Sequence, residues 1–179
     1  MRVKLGEVVR IDTSVGTPAG DKVWLLNLDM IEQQTGRIID RLMVSPNEIG
    51  GSTVGFDKEC VLYSKLRPNL NKVVLPDMDG VATSEILPLR CAKDVRREYL
   101  CWYLRSPAFL AYAESRTAGA KMPRLGFKEL LAAEITLPSV DAQDQIVRKL
   151  EEISNLILVR ESQIAKFDQL IKSRFVEAA

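Results

Sequence analysis

The chain of 179 residues contains no histidine. That absence excludes Ser-His-Asp and Cys-His catalysis and removes the imidazole that most zinc sites use. Cysteine is scarce: Cys60, Cys91 and Cys101 stand far apart, with no CxxC pair. An odd number of separated thiols in a chain of this size predicts a reduced, cytoplasmic protein rather than a disulfide scaffold. Long hydrophobic runs are missing too, so no membrane span is expected, and the opening MRVKLGEVVR lacks the apolar stretch of a signal peptide. There is no GxxxxGK[ST] phosphate loop. The nearest approach to GxGxxG, Gly16 and Gly20 in SVGTPAGD, has the wrong spacing. Together these absences argue against an enzyme and for a binding module with no metal or cofactor of its own.

Excess charge is also lacking, since the formal net charge is +1. The distribution is less even than the total. CVLYSKLRPNLNKVVLP, from Cys60 to Pro76, holds three basic residues and no acid; SRTAGAKMPRLGFK, from Ser115 to Lys128, holds four and no acid. Asp77, Asp79, Glu114 and Glu129 lie just outside these windows. Two acid-free basic stretches in a balanced chain can form one local positive face. The competing reading is a pair of solvated loops with neutral neighbours.

What the chain does have is an apolar stripe near its C-terminus. Ile146, Leu150, Ile153, Ile157, Arg160, Ile164, Phe167, Ile171 and Arg174 follow each other at intervals of four and three. That period of about 3.5 residues is a coiled-coil seam, narrower than the stripe of a helix lying on its own globule. A helix from about Asp141 to Phe175, with Asp141 as N-cap and Asp144 in the first turn, would be roughly 50 Å long. A domain of the remaining size cannot cover it, so it is expected to dock a partner; the alternative is that it folds back on its own domain. Arg160 lies midway along the seam. In a symmetric antiparallel pair it would meet its own copy, which calls for Glu161 of the other chain to neutralise it or for its stem to lie flat.

Residues 1–12 read as a short strand or helix burying Val3, Leu5, Val8, Val9 and Ile11. VWLLNLDMI, GRIIDRLMV, CVLYSKLRP, NKVVLP and GVATSEILPLRC read as successive short strands with Pro and Gly punctuation, which favours an antiparallel or barrel-like sheet. NEIGGSTVG reads as a loop. Past Asp94 the aromatics Tyr99, Trp102, Tyr103, Phe109 and Tyr112 fall at helical spacing and are expected in the core rather than stacked on bases. Ser106 is the N-cap of a second helix beginning at Pro107, with Gly119 at its end. A short helix over Phe127 to Ala132 and a strand ending at Pro138 precede the long helix. The fold class expected is α+β: a globular domain at 1–140, with a mainly antiparallel or mixed sheet and short helices, then one long coiled-coil helix at 141–179.

Several segments, in this order, resemble the specificity subunit of Type I restriction–modification enzymes. They are KLGEVVRIDTSVGTP, VLYSKLRPNLNKVVLP, ATSEILPLR, GAKMPRLGFKELLAAEITLPSVDAQDQIVRKL, with its Gln-x-x-Ile helix start, and FDQLIKSRFVEA. Each is degenerate alone; their order and spacing carry the resemblance, which spans nearly the whole chain.

The resemblance implies a DNA target-recognition domain followed by a spacer helix. Subunits of this family usually carry two such domains and two helices packed antiparallel, each domain reading half of a split DNA target. They dock adenine-N6 methyltransferase subunits that use S-adenosylmethionine, and the restriction subunit is a further expected partner. One domain and one helix here imply a half-subunit acting as a homodimer, or part of a longer chain. The residues expected at DNA are Lys65, Arg67, Lys72, Lys121 and Arg124, with Arg67 open to a purely structural role before Pro68. Arg116 and Lys128 are expected to be solvated. The residues expected at the dimer or partner interface are Ile146, Leu150, Ile153, Ile157, Arg160, Ile164, Phe167 and Ile171. Two other classes remain: a protein-binding adaptor docking through its coiled coil, and an enzyme using Asp77, Asp79 and Glu85.

Overall fold

The structure is a computed structural model and describes residues 1–119 and 121–177. It divides into two compact units, residues 1–143 and 144–179.

The first unit is α+β. Two four-stranded sheets form its body. One is fully antiparallel and ordered β2 (Val9–Ile11), β9 (Ile86–Cys91), β6 (Val61–Ser64), β7 (Val73–Val74). The other is ordered β4 (Leu42–Val44), β3 (Val23–Leu26), β8 (Gly80–Thr83), β5 (Thr53–Phe56) and is mixed, because β3 and β8 run parallel. Two small pairs complete it: β1 (Arg2–Lys4) with β12 (Glu134–Thr136), and β10 (Thr117–Ala118) with β11 (Arg124–Leu125). A single turn, α1 (Leu5–Val8), separates β1 from β2.

Burial follows the two layers. Leu5, Val61, Leu89, Leu100, Leu104, Phe109, Leu130 and Ile135 belong to one core, beneath α2 (Arg97–Arg105), α3 (Pro107–Glu114) and α4 (Phe127–Ala132). Trp24, Leu26, Phe56, Leu62, Val74 and Ile86 belong to the second, where the Trp24 and Phe56 rings meet edge to face at 5.4 Å. Leu62 and Val61 of one strand point into different cores, as the alternation of a strand buried on both faces requires. Of the aromatics of α2 and α3, Phe109 is buried in this core and Tyr99, Tyr103 and Tyr112 pack against it half-buried, whereas Trp102 belongs to neither core and has the Arg105 guanidinium over its ring at 4.8 Å. The tyrosines also lace the helices down: Tyr99, Tyr103 and Tyr112 donate to the carbonyls of Thr136, Glu134 and Glu129.

Arg90 of β9 ties the two sheets together. Its guanidinium donates to Asp12, just past β2, and to Asp57, just past β5. The Asp12 carboxyl, 3% exposed, is held down to about 2 by the Ser14 hydroxyl and by Arg90, against the opposing pull of burial.

Four local expectations are corrected. GVATSEILPLRC is two strands in different sheets, β8 and β9, turned by Ser84 and Glu85. Part of NEIGGSTVGF is not a loop: a capping box from Ser45 to Glu48 closes a 3-10 turn, and Thr53–Phe56 pairs with β8. Gly55 is required there, since a Cβ would sit 2.2 Å from the Val15 carbonyl oxygen. In GRIIDRLMV only Leu42–Val44 is a strand; Ile38 makes a lone bridge to Ile31, and Gly36 takes a left-handed φ of 66° with its Cα against the Val73 carbonyl. Finally α3 stops at Glu114 rather than Gly119, because the Ser115 and Thr117 hydroxyls bond the carbonyls of Tyr112 and Glu114. Its N-cap is Ser106, whose Oγ accepts from Phe109 N at 3.2 Å.

The long helix, α5, runs Val140–Glu177, 38 residues and so about 57 Å. Asp141 is not its cap: it lies inside the first turn, and the Ser139 hydroxyl accepts from Ala142 N. The helix start is anchored by Gln143, fully buried in the first unit. Its amide donates to the carbonyls of Asp94 and Pro138 and accepts from Arg96 N, at 2.8, 3.0 and 2.9 Å. No described helix is long and apolar enough to cross a membrane.

Candidate nucleic-acid interface

The two basic windows, far apart in sequence, adjoin in the fold through backbone hydrogen bonds. Arg67 N donates to Pro123 O at 2.8 Å, Leu125 N donates to Lys65 O at 3.0 Å, and Leu66 opposes Arg124 across an antiparallel bridge. Glu85 joins them: its carbonyl accepts from Lys65 N at 3.0 Å, and its carboxylate accepts from Arg124. Ala120 lies outside the described residues.

The five expected DNA residues are not equivalent. Arg67 is exposed, and its side chain has no partner among the described residues. Its backbone is left-handed, φ 48° and ψ 64°, a conformation costing a non-glycine residue about 1–2 kcal/mol. The 3-10 turn Pro68–Leu70 holds it, closed by Leu70 N on Arg67 O, with Asn71 at φ 51° donating from its side chain to Arg105 O. Lys121 is likewise exposed and without a described partner. Lys65 is half-buried, with its ammonium 5.4 Å from the centre of the Phe127 ring. Lys72 turns inward instead: Nζ donates to Leu28 O, and desolvation lowers its pKa. Arg124 is held by Glu85, and its hydrogen bond keeps the Glu85 carboxyl below the usual range. Arg116 lies over the Tyr112 ring at 4.6 Å, and Lys128 is exposed.

Beside this surface is a groove of about 710 Å³. Thr13, Thr17, Thr53 and Ser84 supply hydroxyls to its lining, Phe127 an aromatic ring, and Lys65 the one charge among its lining residues. The acids considered for catalysis do not share a site. Asp77 pairs with Arg41, Asp79 accepts from Lys58 N, and Glu85 serves Arg124.

The seam residues of α5 lie in the open. Ile153, Ile157, Ile164, Phe167 and Ile171 are 53% to 64% exposed, Ile146 less so, and Leu150 is half-buried. Arg160 donates to Gln163 of the next turn at 2.9 Å. Leu156, Val159 and Leu170 are also exposed and fall outside the expected seam. They form a second stripe, which widens the apolar arc between Leu156 and Ile171 to about 160° at 100° per residue.

Sequence reading missed Glu85 and Gln143 as organising residues. The signal for Glu85 was a lone acid inside an otherwise apolar run; for Gln143 it was the Gln-x-x-Ile start itself.

No protein-family model matches the chain. Among curated proteins it is similar to the specificity subunit of the Type I restriction enzyme EcoDI of Escherichia coli. The two are 24% identical over 123 residues, covering 69% of this chain and 27% of that one. Three solved structures share the fold. The HsdS subunit of Thermoanaerobacter tengcongensis matches 88% of this chain and 42% of its own, with a TM-score of 0.72 and 20% identity. A chain from a study of complex assembly and conformational transition of the type I R-M system matches 93% and 45%, with a TM-score of 0.76 and 20% identity. The S subunit from M. genitalium matches 87% and 39%, with a TM-score of 0.58 and 10% identity. The chain thus spans less than half the length of each relative, and it resembles one half of a Type I specificity subunit in sequence and in fold.

Proposed function

We propose that the chain is a DNA-reading specificity subunit of a Type I restriction–modification enzyme and works as a homodimer. Its globular unit reads one half of a bipartite target, and its long helix pairs antiparallel with that of a second copy. It does no chemistry itself. It directs adenine-N6 methyltransferase subunits, which hold the S-adenosylmethionine, and the restriction subunit joins the same assembly.

The observation that carries this reading is the backbone pairing that joins the two basic windows into one surface, with Arg67 and Lys121 left unpartnered on it. Phosphate contacts set register and base contacts choose sequence. Unpaired cations on a rigid backbone suit the first task.

The rod supports the assembly. An exposed apolar seam gains about 25 cal/mol per Å² of apolar area covered. A second copy can cover the seam from Ile146 to Ile171. One helix partner covers roughly 100° of the surface. The second stripe of Leu156, Val159 and Leu170 then remains for a methyltransferase subunit.

The test is the salt dependence of duplex binding. The chain should bind DNA with a steep negative slope in log affinity against log salt, and Arg67→Ala with Lys121→Ala should reduce that slope by about two. An unchanged slope removes both residues from the phosphates. A second reading, the adaptor, draws on exposed Ile39, Leu42, Met43 and Met78 on and beside the edge strand β4. It predicts a protein complex insensitive to salt and no DNA binding.

A further inference from the structure

Arg124 differs from the other basic residues at the proposed interface. Its guanidinium is fixed on two sides: Nε lies 3.1 Å from each Glu85 carboxylate oxygen, Nη2 donates to Glu85 Oε1 at 2.8 Å, and Nη1 donates to Met122 O at 3.2 Å. Its backbone is fixed as well, in β11 and opposite Leu66. A guanidinium has five N–H groups. These bonds leave one on Nη1 and one on Nη2, with no acceptor among the described residues. The side chain is still 42% exposed, so those two donors are reachable.

Such an arginine is poorly suited to phosphate and well suited to a base. The carboxylate beside it already neutralises its charge, which weakens the counterion-type attraction that makes phosphate contacts strong. Arg67 and Lys121 keep theirs. What Arg124 retains is direction: two donors on the two terminal nitrogens, held without the loss of side-chain freedom that an unsupported arginine suffers on binding. In the major groove, guanine O6 and N7 accept from an arginine in this bidentate manner.

We propose that Arg124 is a specificity-determining residue that donates from Nη1 and Nη2 to a guanine in the major groove, and that Glu85 is the positioning residue that orients it. The inference rests on the DNA-reading function proposed above and deepens it by naming the base.

The experiment is selection from a random duplex library by the full chain with its methyltransferase partner, followed by sequencing of bound DNA. The chain itself, Arg124→Lys and Glu85→Gln are compared. Lysine keeps the charge and loses the fork; glutamine keeps the shape and loses the carboxylate. The unsubstituted chain should enrich a motif containing guanine. Both variants should relax preference at the same guanine by about tenfold or more, whereas Arg67→Ala should weaken binding at every position and leave the motif as it is. A uniform fall at every position makes Arg124 a phosphate contact and overturns the inference. So does an unaltered motif, or a motif without guanine, and these results leave the DNA-reading function standing. If the unsubstituted chain enriches no motif, that function fails and the inference fails with it.

Discussion

In the globular unit Trp24, Phe56, Leu100 and Ile135 are completely enclosed, whereas in the rod Ile153, Ile157, Ile164 and Phe167 lie more than half exposed. Polar groups divide the same way. Asp12, Arg90 and Gln143 find partners within the globular unit, while Arg160 reaches only a neighbour on its own helix. The first unit therefore encloses cores of its own. The second is a helix that exposes an apolar face wider than one partner needs. The comparison separates what holds the protein together from what it is held for.

Substitutions break that comparison in order of effect. Ile157→Asp with Ile164→Asp places charge in the seam. Dimerisation measured by sedimentation should weaken at least about a hundredfold, with the thermal unfolding of the globular unit unmoved. A parallel loss of globular stability would mean that the seam belongs to the chain's own fold. Next is Gln143→Leu, which removes three buried hydrogen bonds, from Arg96 N and to the carbonyls of Asp94 and Pro138. Urea unfolding should show a loss of about 2–3 kcal/mol, and the seam should still dimerise.

A smaller effect is expected at Asp12, through pH. Its folded pKa of about 2 lies below the unfolded value of 3.8, so its contribution is full above about pH 4 and is lost as pH falls toward 2. Asp12→Asn should cost about 1–2 kcal/mol at neutral pH, and the difference should close in acid. A difference that persists undiminished at pH 2 would assign it to packing. Smallest is Arg160→Leu. If a cross-chain pair with Glu161 fixes the register, this change should loosen the antiparallel preference by less than about tenfold, read by energy transfer between labelled copies. Unchanged orientation and unchanged dimer strength would leave Arg160 without that role.

The rod was legible because its signal is local: a helix and its seam can be read from a period. So was the Ser106 cap, where a hydroxyl meets a backbone group three residues away. The basic surface was legible only in outline. That the windows lack acids is visible in the sequence. That Lys72 turns inward to Leu28, or that Arg124 is taken by Glu85, depends on contacts 44 and 39 residues distant. The division of GVATSEILPLRC between two sheets was hidden for a similar reason. Each half has strand composition, and only packing against Trp24 on one side and Val61 on the other decides which sheet receives it.

In the proposed assembly the rod sets the distance between two identical DNA-reading units. Methylation-site mapping tests it, with the methyltransferase partner present, for the chain and for a variant carrying one extra heptad after Ser154, between the globular unit and Arg160. With the register held at Arg160, seven helical residues in each of the two helices add about 20 Å, or roughly six base pairs. The expected target is an interrupted palindrome whose spacer lengthens by about that amount while its two half-sites stay the same. An unchanged spacer, or a target with no two-fold symmetry, would contradict it.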